Sequence, residues 1–201
     1  MQIHAGFVIH NPLTNSKTVV LKTEVETEGR GWLLEVENVP NNLPDIAEHL
    51  HTTWTETFEI VSGEANYKID GIQKTARAGD VFVVNPRQTH IHPWAVGNSK
   101  MVYRQSNVFA QPNPEAVQEV LGIFASTAGL AREGKVFPDG KPKNPLQLAV
   151  SLATLVRHGG YDASLPIPVQ NFVVATLGRL AFAMGYRAVY PEYLSNQPPN
   201  S

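Results

Sequence analysis

The 201-residue chain contains no cysteine. Disulfides, iron–sulfur clusters, thiolate zinc sites and a thiol nucleophile are thereby excluded together, and any metal must be held by nitrogen and oxygen. Charge is also sparse, with 16 Lys and Arg against 18 Asp and Glu for a net of -2. Without a basic excess nothing steers a phosphate backbone, so no nucleic-acid partner is expected. The start, Met1 to Gly6, lacks the basic residues and long apolar run of a signal peptide, and a cytoplasmic location is expected. No internal repeat, Gly-x-Ser-x-Gly elbow, dinucleotide fingerprint or metalloprotease helix motif occurs. Gly129 to Lys135 has the glycine and lysine spacing of a phosphate-binding loop, but Val136 stands where a hydroxyl is needed and a helix precedes it. It reads as a flexible connector.

What is present divides the chain in two. Over residues 1–110 short alternating apolar runs are broken by turn residues, the pattern of antiparallel β-structure. The runs are Phe7-Val8-Ile9, Thr18 to Leu21, Trp32 to Val36, Thr57 to Val61, Ala65 to Ile69, Val81 to Val84, His90 to Trp94 and Met101 to Gln105. Asp70-Gly71 between apolar flanks predicts a hairpin, because a type I′ turn needs positive φ at both centres. Over 111–195 about three helices follow. Asn113-Pro114-Glu115 and Asn144-Pro145 are N-cap and first-turn signals ahead of apolar residues at helical spacing. The third candidate, from about Pro168 to Met184, is apolar nearly all round, but is short for a membrane span and carries Gln170, Asn171 and Arg179. Burial against the barrel or a second subunit is expected ahead of membrane association, and a homodimer is the expected assembly. Residues 196–201 read as a disordered tail.

The chemistry concentrates in His49-Leu50-His51-Thr52-Thr53-Trp54-Thr55-Glu56. In a strand, His49 and His51 share a face, and a bend after them returns Glu56 to it. Two imidazoles and a carboxylate can hold a metal ion if another ligand comes from elsewhere. His4, His10 and His158 read as ordinary surface or structural histidines. His92 is open to two readings. In a regular strand it shares the face of His90 and serves as an outer-sphere acid/base or substitute ligand; a bulge at Pro93 would turn it away. Phe58, Ile60, Tyr67, Val83 and Trp94 read first as core, and otherwise as the walls of a cavity.

The spacing His-x-His, four residues, Glu, six residues, Gly63, followed by Gly79-Asp80, Pro86 and His90, closely resembles the paired signature motifs of the cupin superfamily. The resemblance covers roughly Asn11 to Gln105. In two places this chain departs: Pro86-Arg87-Gln88 replaces proline–x–glycine, and Trp94 stands where an asparagine is frequent. The resemblance implies a mainly β fold, an antiparallel double-stranded β-helix of the jelly-roll type, followed here by helices. It also implies one divalent transition metal (iron, manganese, nickel, copper or zinc) held by His49, His51, Glu56 and His90; Glu56, and His92 from its place on the strand, are the candidate catalytic groups. Imidazole and carboxylate ligands suit such an ion. Cupins of similar pattern include dioxygenases, isomerases and decarboxylases. The expected function is a small metal-dependent dioxygenase acting on a small organic, phenolic-type substrate. The alternatives are an isomerase or decarboxylase and a binding or sensing module without turnover.

Overall fold

The computed structural model describes residues 2–40 and 43–195; the tail expected over 196–201 lies outside the described residues. Ten strands come first: β1 (Val8–Asn11), β2 (Ser16–Lys22), β3 (Gly31–Asn38), β4 (His49–His51), β5 (Trp54–Ser62), β6 (Glu64–Ile69), β7 (Ile72–Arg77), β8 (Val81–Val84), β9 (His90–Ala95) and β10 (Met101–Phe109). With β11 (Gly160–Asp162) they form two antiparallel sheets, ordered β1-β2-β3-β10-β5-β8 and β11-β4-β9-β6-β7. The fold is the double-stranded β-helix, mainly β, followed by helices.

Period-two alternation sets which side chains face inward. In β10 the buried positions are Met101, Tyr103, Gln105, Asn107 and Phe109. In β3 Trp32, Leu34 and Val36 point the same way. At one end Trp32, Trp54 and Phe109 pack with ring centres 5.3 to 5.9 Å apart. Burying such side chains stabilises by roughly 1.5–3 kcal/mol each. The Asp70-Gly71 turn has positive φ at both centres, 50° and 78°, and pairs Ile69 with Ile72.

The helices start where the caps are. Asn113 accepts the amide of Ala116 at the head of α1 (Pro114–Arg132), and Asn144 accepts those of Leu146 and Gln147 at the head of α2 (Pro145–Arg157). Gly129 to Arg132 is the last turn of α1 and not a connector. A Cβ at Gly129 would lie 2.2 Å from the ring of Tyr193, so the glycine makes room for a helix contact. The helical region also returns a strand to the barrel. After α2, Gly159 turns at φ +92°, and β11 pairs with β4 so that Asp162 faces His49 and Gly160 faces His51. Thr52 N donates to Gly159 O at 2.8 Å.

The third helical run comprises α3 (Ile167–Val173), a π-helical turn (Val174–Gly178) and α4 (Arg179–Ala183). Gln170, fully buried, pins it to β11 by donating to Asp162 O and Leu165 O and accepting Asp162 N. No helix among the described residues is long and apolar enough to cross a membrane. His4 and His10 are exposed. His158 is structural: its Nε2 lies 2.6 Å from Glu119 Oε2, which Arg157 also contacts, tying α2 to α1. Burial pushes the Glu119 carboxyl up, but Arg157 and His158 hold it below its ordinary value. A carboxyl held down in this way stabilises the fold above its ordinary range, and the contribution is lost as pH falls through the folded value. Glu119→Gln should lower unfolding free energy by about 1–2 kcal/mol at pH 7, with the deficit shrinking in acid, as read by urea denaturation at several pH values.

Candidate metal centre

The two sheets deliver the expected residues from opposite sides. His49 and His51 alternate on β4, and His49 sits directly beside His90 of β9. The chain does not bend back onto the same face to bring in Glu56; it crosses at Thr52-Thr53 to the other sheet, where Glu56 faces inward from β5. The β6–β9 register slips between Asn66 and Lys68, which face Trp94 and Ile91, leaving one extra residue in β9 near Pro93. That bulge does not turn His92 away. His90 and His92 are both buried, their rings stacked 5.5 Å apart.

Glu56 is the centre of the arrangement and is 2% exposed. Its Oε1 accepts the side-chain amides of Gln105 and Asn107, both at 2.6 Å. The register of β10 against β5, which sets Asn107 beside Glu56, makes this pairing possible. Oε2 is left to face the histidines: Nε2 of His90 at 2.7 Å, of His51 at 3.2 Å and of His92 at 3.5 Å. Ligand atoms of His49, Glu56, His90 and His92 all lie within 4.8 Å of one another. His51 stands just beside them, its ring stacked on Trp54 at 4.5 Å.

Backbone carbonyls orient three of the rings. Nδ1 of His49 meets Ala47 O at 2.9 Å, Nδ1 of His51 meets Trp54 O at 2.9 Å, and Nδ1 of His90 meets Gln88 O at 3.2 Å. With Nδ1–H donated to a carbonyl, a neutral imidazole presents an Nε2 lone pair, the form that binds metal. The buried Nε2 atoms of His90 and His92 have no hydrogen-bond partner of good direction, although both lie near Oε2. Lone pairs and a carboxylate converging in a dry interior repel one another unless a proton or a cation lies between them. The donor set, imidazole nitrogen and carboxylate oxygen, fits a divalent first-row ion.

Burial, reinforced by His90 and His92, holds the His49 imidazole well below its ordinary value of 6.5, so it stays neutral. Burial would push the Glu56 carboxyl up, yet the facing imidazoles of His92, His51 and His90 hold it well below its ordinary value of 4.5.

The centre opens on a cavity of about 270 Å³ that His49, Glu56 and His92 border. Phe58, Ile60 and Tyr67 are core, as first read, whereas Val83 is exposed and Trp94 half-buried; Trp32, Leu34, Val36 and Trp54 border the cavity. Arg104 points outward to Glu35 and Glu59. Gln105, Asn107 and Tyr103 were absent from the expected site; polar side chains in the inward phase of an apolar strand are the signal that reveals them.

Residues 36–104 match the family model for the cupin domain. No curated protein matches the chain. Similar solved structures include a predicted oxalate decarboxylase from Thermotoga maritima, 15% identical, covering 47% of this chain and 80% of that one with a TM-score of 0.41. A double-stranded β-helix protein from Klebsiella pneumoniae is 22% identical over 47% of this chain and 77% of its own, TM-score 0.40. A cupin-like protein of Thermotoga maritima is 16% identical over 53% and 76%, TM-score 0.42.

Acid should weaken the metal-stripped protein. A His49 held neutral in the fold favours the folded chain above about 6.5 and disfavours it as pH falls and the unfolded imidazole takes a proton. Glu56, held ionised, adds to the loss below its own ordinary range. The thermal midpoint of chelator-treated protein should therefore fall from pH 7 to pH 4.5, and a midpoint unchanged over that range would contradict the His49 shift.

Proposed function

We propose that the chain, whose residues 36–104 match the family model for the cupin domain, is a mononuclear, metal-dependent enzyme acting on a small organic molecule, with dioxygenase chemistry as its reaction class. The observation that carries this reading is the set of buried, unpartnered imidazole nitrogens aimed at the Glu56 carboxylate beside an apolar cavity. We assign His49, His51, Glu56 and His90 as ligands. The three histidines are those whose second ring nitrogen is held by a backbone carbonyl, the usual support of a metal-bound imidazole. A divalent iron, manganese, nickel, copper or zinc ion bound there would supply Lewis acidity and, for a redox-active metal, oxygen chemistry.

His92 has a different part. Among the described residues no backbone carbonyl holds its Nδ1, and its ring borders the cavity. We assign it the role of taking a proton from a bound hydroxyl or activated C–H and holding it near Glu56 Oε2, a role supported by the 3.5 Å between that oxygen and its Nε2. Gln105 and Asn107 fix the other carboxylate oxygen, so Glu56 cannot rotate away. The apolar walls exclude water from the reacting end.

Metal analysis of protein offered each of the five ions should find about one equivalent in the wild type and little in the His49→Ala/His51→Ala double variant. His92→Ala should keep its metal while losing turnover by about 10²–10⁴-fold, the usual range for a general base. A wild type that stays empty with every ion would defeat the metalloenzyme reading. Oxygen uptake with flavonols, catechols and diketones tests the reaction class; a metal-loaded protein silent toward all of them would point to non-redox turnover or to binding alone.

A further inference from the structure

The cavity is only half built by the barrel. Its outer wall is one face of α1, with Ile123, Phe124 and Thr127, and one face of α2, with Leu148, Leu152 and Leu155. Their spacings of three and four residues are those of a single helix face, so both helices present an apolar stripe to the barrel mouth. β11 fixes this wall to the metal-site strand itself, through its pairing with His49 to His51. The inner end is polar. Besides Glu56 and His92 it carries Tyr103, 1% exposed, which borders the cavity. Burial, with Asp45 and Glu56 nearby, pushes its phenol well above the ordinary value, so it remains a proton donor.

We propose that the cavity binds a small amphiphilic molecule with an oxygen-bearing end at Tyr103, Glu56 and His92 and an apolar body against α1 and α2, so that these helices set the length of body accepted. This deepens the enzyme reading above, since it takes the histidine cluster as the reactive end. At about 270 Å³ the space is near the small end of ligand pockets, roughly 300–1,000 Å³, and admits a ring or short alkyl chain but no large polycycle.

The test uses the full chain and a series of phenol, 4-ethylphenol, 4-butylphenol and 4-hexylphenol, with binding read by calorimetry. Affinity should rise about threefold to fourfold per methylene, the usual gain for burying one, until the cavity is full. Leu152→Trp should remove the gain beyond phenol, and Leu152→Ala should move the optimum to a longer chain. Tyr103→Phe should weaken all four phenols by a similar factor, about three- to tenfold. Affinities independent of chain length, or a length optimum that neither Leu152 variant moves, would overturn the proposal. Running the series on metal-stripped and metal-offered protein separates the two readings. Length dependence in a protein that takes no metal sinks the enzyme reading alone, and bound metal without length dependence sinks this one alone.

A separate observation concerns the third helical run. Residues 167–183 rise roughly 25 Å as a helix, and within them Gln170, Gly178 and Ala181 are buried, a narrow stripe packed on α2. The other faces expose Val169, Phe172, Leu177, Leu180, Phe182 and, just beyond, Met184. Phe172 is 69% exposed and Met184 59%. Their exposed apolar surface comes to roughly 700 Å², above the usual patch on a monomer and close to the ~800 Å² a partner contributes to a standard interface. Between Ser164 and Gly185 the one charged residue is Arg179, so the basic face of a lipid-binding helix is lacking. We infer that this surface pairs with the same surface of a second copy of the chain around a two-fold axis. Light scattering after gel filtration should give a dimer for the wild type and a monomer with unchanged circular dichroism for Phe172→Glu/Leu180→Glu. A wild-type monomer at tens of micromolar, a dimer that survives both substitutions, or a monomer that sediments with anionic lipid vesicles would each overturn it.

Discussion

A carboxylate enclosed by four imidazoles sets the terms for the rest of this structure. Alone in an apolar interior, Glu56 would take up a proton or unfold the site around it, because an unpaired buried charge costs several kcal/mol. Its stability rests on division of labour between its two oxygens. Gln105 and Asn107 satisfy Oε1, and the histidines surround Oε2. This requires both sheets to be in register at once: β10 against β5 to bring the amides, β4 against β9 to align His49 with His90. A slip of one residue in either pairing would turn every one of these side chains to the opposite face.

The carbonyl bonds to Nδ1 of His49, His51 and His90 carry the constraint a shell further out. They fix ring orientation and tautomer, so that the lone pairs point inward before anything binds. Two of the three acceptors, Ala47 and Trp54, flank β4 closely in sequence, and the third, Gln88, lies just before β9. The site is thus held by the ends of its own strands, with little reliance on distant loops. His92 lies outside this scheme and next to the bulge, and the asymmetry gives the four histidines two distinct chemical characters.

Much of this was legible from residue order, and the omissions have physical causes. The alternating runs and the Asp70-Gly71 turn mark strands because pleat and turn geometry depend on near neighbours. The histidine spacing is likewise local. Gln105 and Asn107 escape a local reading because their importance depends on which strand lies beside β10. β11 escapes it because three residues, Gly160 to Asp162, carry no periodicity. Its pairing with β4 is a tertiary fact that ties the helical region to the barrel. The bulge near Pro93 shows the opposite case: the register shift takes in His92 and Pro93 and leaves both buried, so the buried phase passes to Pro93 and Ala95 while Trp94 swings outward.

The β11 pairing also changes what the helices can be. An appendage joined only by a loop could shift without consequence for the centre, whereas this one is hydrogen-bonded to the strand that bears His49 and His51 and is clamped by Gln170 from the following helix. Any displacement of α2 or α3 would be transmitted along β11 to β4. Conversely, an occupant pressing on Leu152 or Leu155 would push on the same element that locates His49 and His51. Wall, strand and centre therefore form one mechanical unit, and if the outer helical face is covered by a second subunit, that contact would stiffen the unit from outside.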